Sequence, residues 1–117
     1  MSTRGKSARK TAALHGASLA VAAAALALAS IGPAAAETIR VTIDKLAFSP
    51  AQVTAHVGDT IEWVNHDFVA HTATAKAAGW DIMIPAGKTA HLVVRQAGTV
   101  DYFCRFHPNM KGRIVVR

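Results

Sequence analysis

One short stretch, Cys104-Arg105-Phe106-His107-Pro108-Asn109-Met110, places the only cysteine, a histidine and a methionine three residues apart in turn. Thiolate, imidazole and thioether are soft and borderline donors, a mixture that suits copper better than magnesium or calcium. Two histidines and one cysteine in a trigonal set, with a long bond to an axial methionine, is how proteins hold copper for electron transfer. The stretch supplies three of those four donors. Upstream, Trp63-Val64-Asn65-His66-Asp67-Phe68-Val69-Ala70-His71-Thr72 offers His66 and His71 for the fourth.

Each of these residues has an ordinary reading when taken alone. Free cysteine is commonly a small buried hydrophobe, His107 before Pro108 could be a plain loop residue, and Met110 could be a core side chain. Their joint spacing argues against all three. An odd cysteine in an exported chain also needs an occupation. A metal would cover the thiol and stabilise the fold through its own binding free energy. His56 and His91 fall on the polar faces of alternating segments and are expected in solvent.

The chain has 117 residues with 13 Lys and Arg against 7 Asp and Glu, a formal net charge of +6. Four of the bases, Arg4, Lys6, Arg9 and Lys10, lie in the first ten residues with no acid among them. An alanine-rich apolar run follows over 11–31, and Pro33-Ala34-Ala35-Ala36 offers a small-x-small cleavage motif. This is the form of a secretory signal peptide over 1–36, cut after Ala36. An uncleaved anchor is the competing reading, since the run nears the roughly 20 residues that span a bilayer. His15, Gly16 and Ser18 break the run, and the cleavage motif favours removal.

The remaining domain, 37–117, keeps nine bases against seven acids, net +2. They are scattered rather than clustered, which excludes a nucleic-acid footprint. The membrane enters only during export, and the mature chain is expected to be an exported monomer.

Positioning the donors falls to strands. Ile39, Val41 and Ile43 alternate with polar residues over 37–44, the pattern of a half-buried strand. Phe48-Ser49-Pro50 interrupts, and alternation resumes over 52–57 before Gly58-Asp59 turns the chain. Further strands are expected over 60–65, 80–84, 89–95, 100–105 and 112–117, with Pro85-Ala86-Gly87-Lys88 as a turn. His66 and His71 fall in a polar loop. Residues 72–80 are ambiguous, with 75–78 capable of a helical turn that Gly79 opposes. The expected fold is all-β, a Greek-key β-sandwich or barrel of about seven to eight short strands. Trp63, Trp80 and Met83 are read as core.

Phe48-Ser49-Pro50, Val57-Gly58-Asp59-Thr60, Trp63-Val64-Asn65, His71-Thr72, Pro85-Ala86-Gly87-Lys88, Tyr102-Phe103-Cys104 and His107-Pro108 with Met110-Lys111-Gly112 together resemble the small cupredoxins. The short Cys-x-x-His-x-x-Met spacing is most similar to the amicyanin loop. The resemblance implies one type 1 copper bound by His71, Cys104, His107 and Met110, with His71 preferred over His66 by its place before Thr72. Ala70 stands where a proline is common in the family.

The resemblance further implies a backbone N–H of Thr72 supporting the centre and electrons leaving through His107, with Phe106 and Pro108 in the docking surface. It implies a periplasmic carrier of single electrons rather than an enzyme. Its partners would be redox proteins such as a periplasmic dehydrogenase and a c-type cytochrome. The alternative is a periplasmic copper-delivery protein that recruits surface histidines such as His66. Asn65 is a further candidate to hold the ligand loop by hydrogen bonds.

Overall fold

The computed structural model describes residues 35–117; the segment read as a leader lies outside them except for Ala35 and Ala36. Nine strands form two facing sheets among the described residues. The first holds β1 (Thr38–Asp44), β2 (Ala47–Ser49), β4 (Thr60–Asn65) and β7 (Thr89–Val93), in the order β2-β1-β4-β7. The second holds β3 (Gln52–Ala55), β5 (His71–Ala75), β6 (Trp80–Ile84), β8 (Gly98–Phe103) and β9 (Lys111–Val116), in the order β3-β9-β8-β5-β6. The molecule is a Greek-key β-sandwich.

Two strands exceed the sequence expectation. β2 forms because residues 47–49 fold back on β1 through a two-residue hairpin, with Asp44 opposite Ala47. β5 forms where alternation fails. All five of its residues are buried, so no polar face marks it in the sequence. Ala75 ends this strand, and the turn over 76–79 closes with Gly79 at a φ of 79°, a left-handed value that glycine adopts without cost.

Inward residues of both sheets build the core around Val41, Ile43, Ile61, Trp63, Ile84 and Ile114. Tyr102 joins them and places its ring directly over Gly112, where a Cβ would overlap it. Trp63 donates its indole N–H to the Tyr102 hydroxyl at 3.2 Å. Burial pushes the Tyr102 phenol up to about 12, and the Trp63 bond only partly offsets this.

Trp80 packs half-buried against the core. Met83 departs from its expectation: it is 47% exposed. β6 is an edge strand whose alternate residues face outward, and Met83 falls on that side opposite Thr72.

Candidate metal centre

Four connections gather at one end of the sandwich. β1 and β4 run parallel, β7 runs against β4, and β8 runs against both β5 and β9. The turn after β1, the loop from β4 to β5, the turn from β6 to β7 and the loop from β8 to β9 therefore share a pole. His71 opens β5, while Cys104, His107 and Met110 occupy the β8–β9 loop.

That loop is closed by its own backbone. Cys104 N–H donates to the Met110 carbonyl at 3.1 Å, His107 N–H to the Cys104 carbonyl at 3.2 Å, and Met110 N–H to the His107 carbonyl at 2.8 Å. Each donor-bearing residue is thus tied to the other two, so the ladder of β8 and β9 sets their separation.

His71, Cys104 and His107 bring one donor atom each to within 4.8 Å of one another. The Cys104 Sγ lies 3.6 Å from His71 Nδ1 and 3.9 Å from His107 Nδ1. Metal bonds of about 2.0 Å to nitrogen and 2.3 Å to sulfur, opened to about 120°, separate two such donors by roughly 3.7 Å. The observed spacings match a shared ion. His71 and Cys104 are fully buried, Met110 is 4% exposed, and His107 alone reaches partway to the surface.

The orientation of His71 carries chemical information. Its Nε2 lies 2.8 Å from Asp67 Oδ2. An ionised carboxylate only accepts, so Nε2 carries a proton, and in the neutral ring this tautomer presents the Nδ1 lone pair to the cysteine sulfur. A carboxylate behind a histidine in this manner fixes the tautomer and raises ligand basicity. The donor set therefore fits a soft first-row ion, and copper in particular.

Asp67 was not singled out in the sequence, where it reads as an ordinary polar loop residue. Its carboxylate also accepts the amides of Lys45 at 2.7 Å and Leu46 at 3.0 Å. Those two residues form the β1–β2 turn with φ values of 52° and 59°. A hairpin turn with left-handed φ at both central positions usually employs Asn-Gly, and Lys-Leu pays a steric penalty there. Partial burial opposes the charge on Asp67, but the amides of Leu46 and Lys45 and the His71 ring outweigh it. The carboxyl is held below its usual range.

The Thr72 amide donates to Cys104 Sγ at 3.3 Å, as the resemblance implied. Asn65 acts elsewhere than expected. Its side-chain amide donates to the carbonyls of Val69, Ile84 and Pro85, and its oxygen accepts from Asp67 N–H. It thereby shapes the 66–70 loop that delivers His71 and makes no bond to the 104–110 loop.

His66 is exposed and stands outside the donor cluster. His56 and His91 are exposed as expected, beside Asp59 and Glu62 respectively. Phe106 is 47% exposed and Pro108 is exposed, joined at this pole by Phe68 at 99% and Val69 at 48%.

Comparisons with known proteins agree with this architecture. The profile of a cupredoxin-like domain matches residues 17–116. Amicyanin-alpha of Methylorubrum extorquens is 32% identical over 111 residues, covering 90% of this chain and 93% of that protein. The amicyanin of Paracoccus versutus is 31% identical over 87 residues, covering 69% of this chain, and that of Paracoccus denitrificans is 32% identical over 84 residues, covering 67%. The chain spans 66% and 64% of the length of these two. Among solved structures, reduced amicyanin carrying a proline-to-phenylalanine change superposes with a TM-score of 0.62 at 32% identity, covering 68% of this chain and 82% of that one. The Cu(I) form of an amicyanin methionine-to-alanine variant gives 0.64 at 28% identity, covering 76% and 88%. With a profile match over most of its length and the fold to accompany it, the chain belongs to the cupredoxin-like family.

Proposed function

We propose that this protein binds one copper ion through His71, Cys104, His107 and Met110 and carries single electrons between redox partners in the periplasm. The observation that carries the reading is the Cys104 sulfur with an imidazole Nδ1 at 3.6 Å and another at 3.9 Å, the first ring held in that orientation by Asp67 at its Nε2. Copper held there supplies the one-electron Cu(I)/Cu(II) couple.

The residues of the chain do the rest. Cys104 provides the thiolate, and the Thr72 amide 3.3 Å from it stabilises negative charge on sulfur. The closed loop backbone keeps the donors in place, so the centre is preorganised rather than assembled by the ion. Burial of His71, Cys104 and Met110 excludes water from three donors, while the half-buried His107 offers the route outward. Exposed Phe68, Val69 and Phe106 supply an apolar surface of the modest kind that transient redox complexes use. Four protein donors leave no open position for a substrate, and Asp67 is engaged by His71 and two amides, so the centre is a carrier rather than an enzyme. The copper-delivery alternative draws less support, because three donors are buried and exposed His66 is not among them.

Export by a signal peptide over 1–36 completes the proposal. Among the described residues, Glu37 is hydrogen-bonded to the domain through its backbone. Its N–H donates to Asp59 Oδ1 at 2.9 Å, and its carbonyl accepts from Thr60. A cut after Ala36 would turn that amide into an ammonium beside a buried carboxylate, strengthening the contact.

The test is the visible and electron paramagnetic resonance spectrum of the exported protein after one equivalent of Cu(II). An intense blue thiolate-to-copper band with narrow hyperfine splitting is expected, lost in Cys104→Ser and kept in Met110→Leu at a raised potential. A pale protein with wide splitting, or colour retained without Cys104, would overturn the reading.

A further inference from the structure

A hydrogen-bonded circuit runs behind the cysteine, and its direction can be worked out atom by atom. Thr74 Oγ1 lies 2.7 Å from Asp81 Oδ1, and the carboxylate can only accept, so Thr74 donates. Its single proton is then spent. In the 2.9 Å contact between the Thr72 and Thr74 hydroxyls, Thr72 must therefore be the donor. That leaves the Thr72 oxygen to accept the backbone N–H of Arg105 at 2.8 Å. Arg105 then closes the circle, its Nε donating to Asp81 Oδ1 at 2.9 Å. The order is Arg105 N–H to Thr72 to Thr74 to Asp81, and back to the Arg105 guanidinium.

Every link fixes the next. Thr72 and Thr74 are 0% and 2% exposed, so a hydroxyl left without a partner there could not turn to water. Thr72 grips the residue pair at the start of the ligand loop twice, its amide on Cys104 Sγ and its hydroxyl on the Arg105 N–H. Asp81 stands on the outer face of edge strand β6 and is half exposed, so it reaches the centre through the two threonines and through the Arg105 side chain. The Thr74 hydroxyl and then Arg105 hold its carboxyl below the usual range, which keeps it an acceptor across neutral pH.

We infer that Thr74 and Asp81 are positioning residues for the copper thiolate: by setting the hydrogen-bond polarity of Thr72 they fix the Cys104–Arg105 peptide, and with it the direction of the sulfur. The inference rests on the copper reading above, and it explains why a fully buried strand, β5, spends two of its five positions on threonine. The side-chain pair Arg105–Asp81 on the surface would by itself contribute little. Its value lies in orienting buried groups.

Two measurements test it. In the metal-free protein, Thr74→Val removes the relay at nearly constant shape. The Arg105 amide should then exchange with solvent roughly tenfold faster relative to the amides of the β8–β9 ladder, the effect of one lost hydrogen bond. Asp81→Ala should do the same from the surface, and because it also frees the Arg105 guanidinium, Thr74→Val, which spares that pair, is the deciding variant. Loaded with copper, both variants should shift the thiolate-to-copper band and slow electron self-exchange, and Thr74→Ser should restore exchange and spectrum together.

Were Arg105 exchange to move only in step with the ladder, or the band to stay in place, the threonines would be plain structural residues and the inference would fall. Exchange in the metal-free chain decides the grip on the loop whatever the metal. A colourless unaltered protein would instead bring down the copper reading, and the positioning role with it.

Discussion

Asp67 joins the strained turn of one hairpin to the histidine that opens another strand, and replacing it by asparagine separates the two jobs. His71 is fully buried, and Asp67 is the acceptor at its Nε2. Removing the charge costs the difference between a charge-assisted and a neutral hydrogen bond, and the amides of Lys45 and Leu46 lose part of theirs. Bonds to charged groups contribute about 1.5–3 kcal/mol, neutral ones about 1. The turn amides are exposed and can turn to water, so the His71 side dominates. The expected loss in the metal-free protein is about 2 kcal/mol, a fall in melting temperature of roughly 8–16 °C for a domain of this size. Copper affinity should fall about 10- to 100-fold, as it does when a carboxylate behind a ligating histidine is removed.

The turn provides an internal control. Leu46 has a φ of 59°, where glycine carries no Cβ penalty. Leu46→Gly relieves about 1 kcal/mol of strain and reduces what the carboxylate must compensate. Asp67→Asn should therefore cost about 0.5–1 kcal/mol less in the Leu46→Gly background than in the unaltered chain, a coupling well within the range for neighbouring residues. Thermal unfolding of the four proteins, followed by circular dichroism without metal, reads the cycle; competition titration reads the affinity. Melting within about 2 °C of the unaltered protein for Asp67→Asn, with equal costs in both backgrounds, would refute the linkage.

Three further outcomes follow from the packing. Gly112→Ala should cost about 1–3 kcal/mol by urea unfolding, because the new Cβ meets the ring of buried Tyr102; a neutral substitution would show that the ring is loosely held. Tyr102 should not ionise until near pH 12 in the folded protein. A raised folded value keeps its stabilisation below the ordinary phenol range and loses it as pH climbs from about 10 to about 12, so phenolate absorbance appearing near pH 10 without unfolding would contradict the burial. Asp59 accepts the amides of Glu37 and His56, which hold its carboxyl below the usual range. Its contribution is present above the unfolded carboxylate value and lost as pH falls through the depressed folded one, so Asp59→Asn should flatten the acid limb of the stability profile. An unchanged acid limb would remove Asp59 from that role.

The sequence showed the donor loop clearly because its chemistry is local: cysteine, histidine and methionine lie within seven residues. Strands such as β1 and β4 were equally plain, since one face is buried and the other wet, and alternation records that. β5 escaped for the opposite reason. With both faces covered it carries no period, and its alanines and threonines mimic a loop or a weak helix. Asp67 escaped because its three partners come from the β1–β2 turn and from the head of β5, a proximity that only the closed sandwich creates. Asn65 was recognised as a holding residue but assigned to the wrong loop. From strand end β4 it faces the β6–β7 connection, and spacing along the chain cannot say which neighbour a strand end meets.

Those two kinds of residue divide the labour of the centre. The donors themselves are bound to one another by loop backbone, which fixes distances. Their orientation is set by groups that never touch the ion: Asp67 chooses the His71 tautomer, and Thr72, through Thr74 and Asp81, aims the Cys104 sulfur. Both controls end on an ionised carboxylate, a side chain that can only accept and so imposes a single sense on the hydrogens leading to it. In the proposed carrier, a site ordered in this way would have little to rearrange when the charge on the ion changed by one. Orientation by carboxylates at a distance, rather than by extra donors, leaves His107 as the single half-buried member of the proposed ligand set, and in the proposed carrier it would confine exchange to that one face.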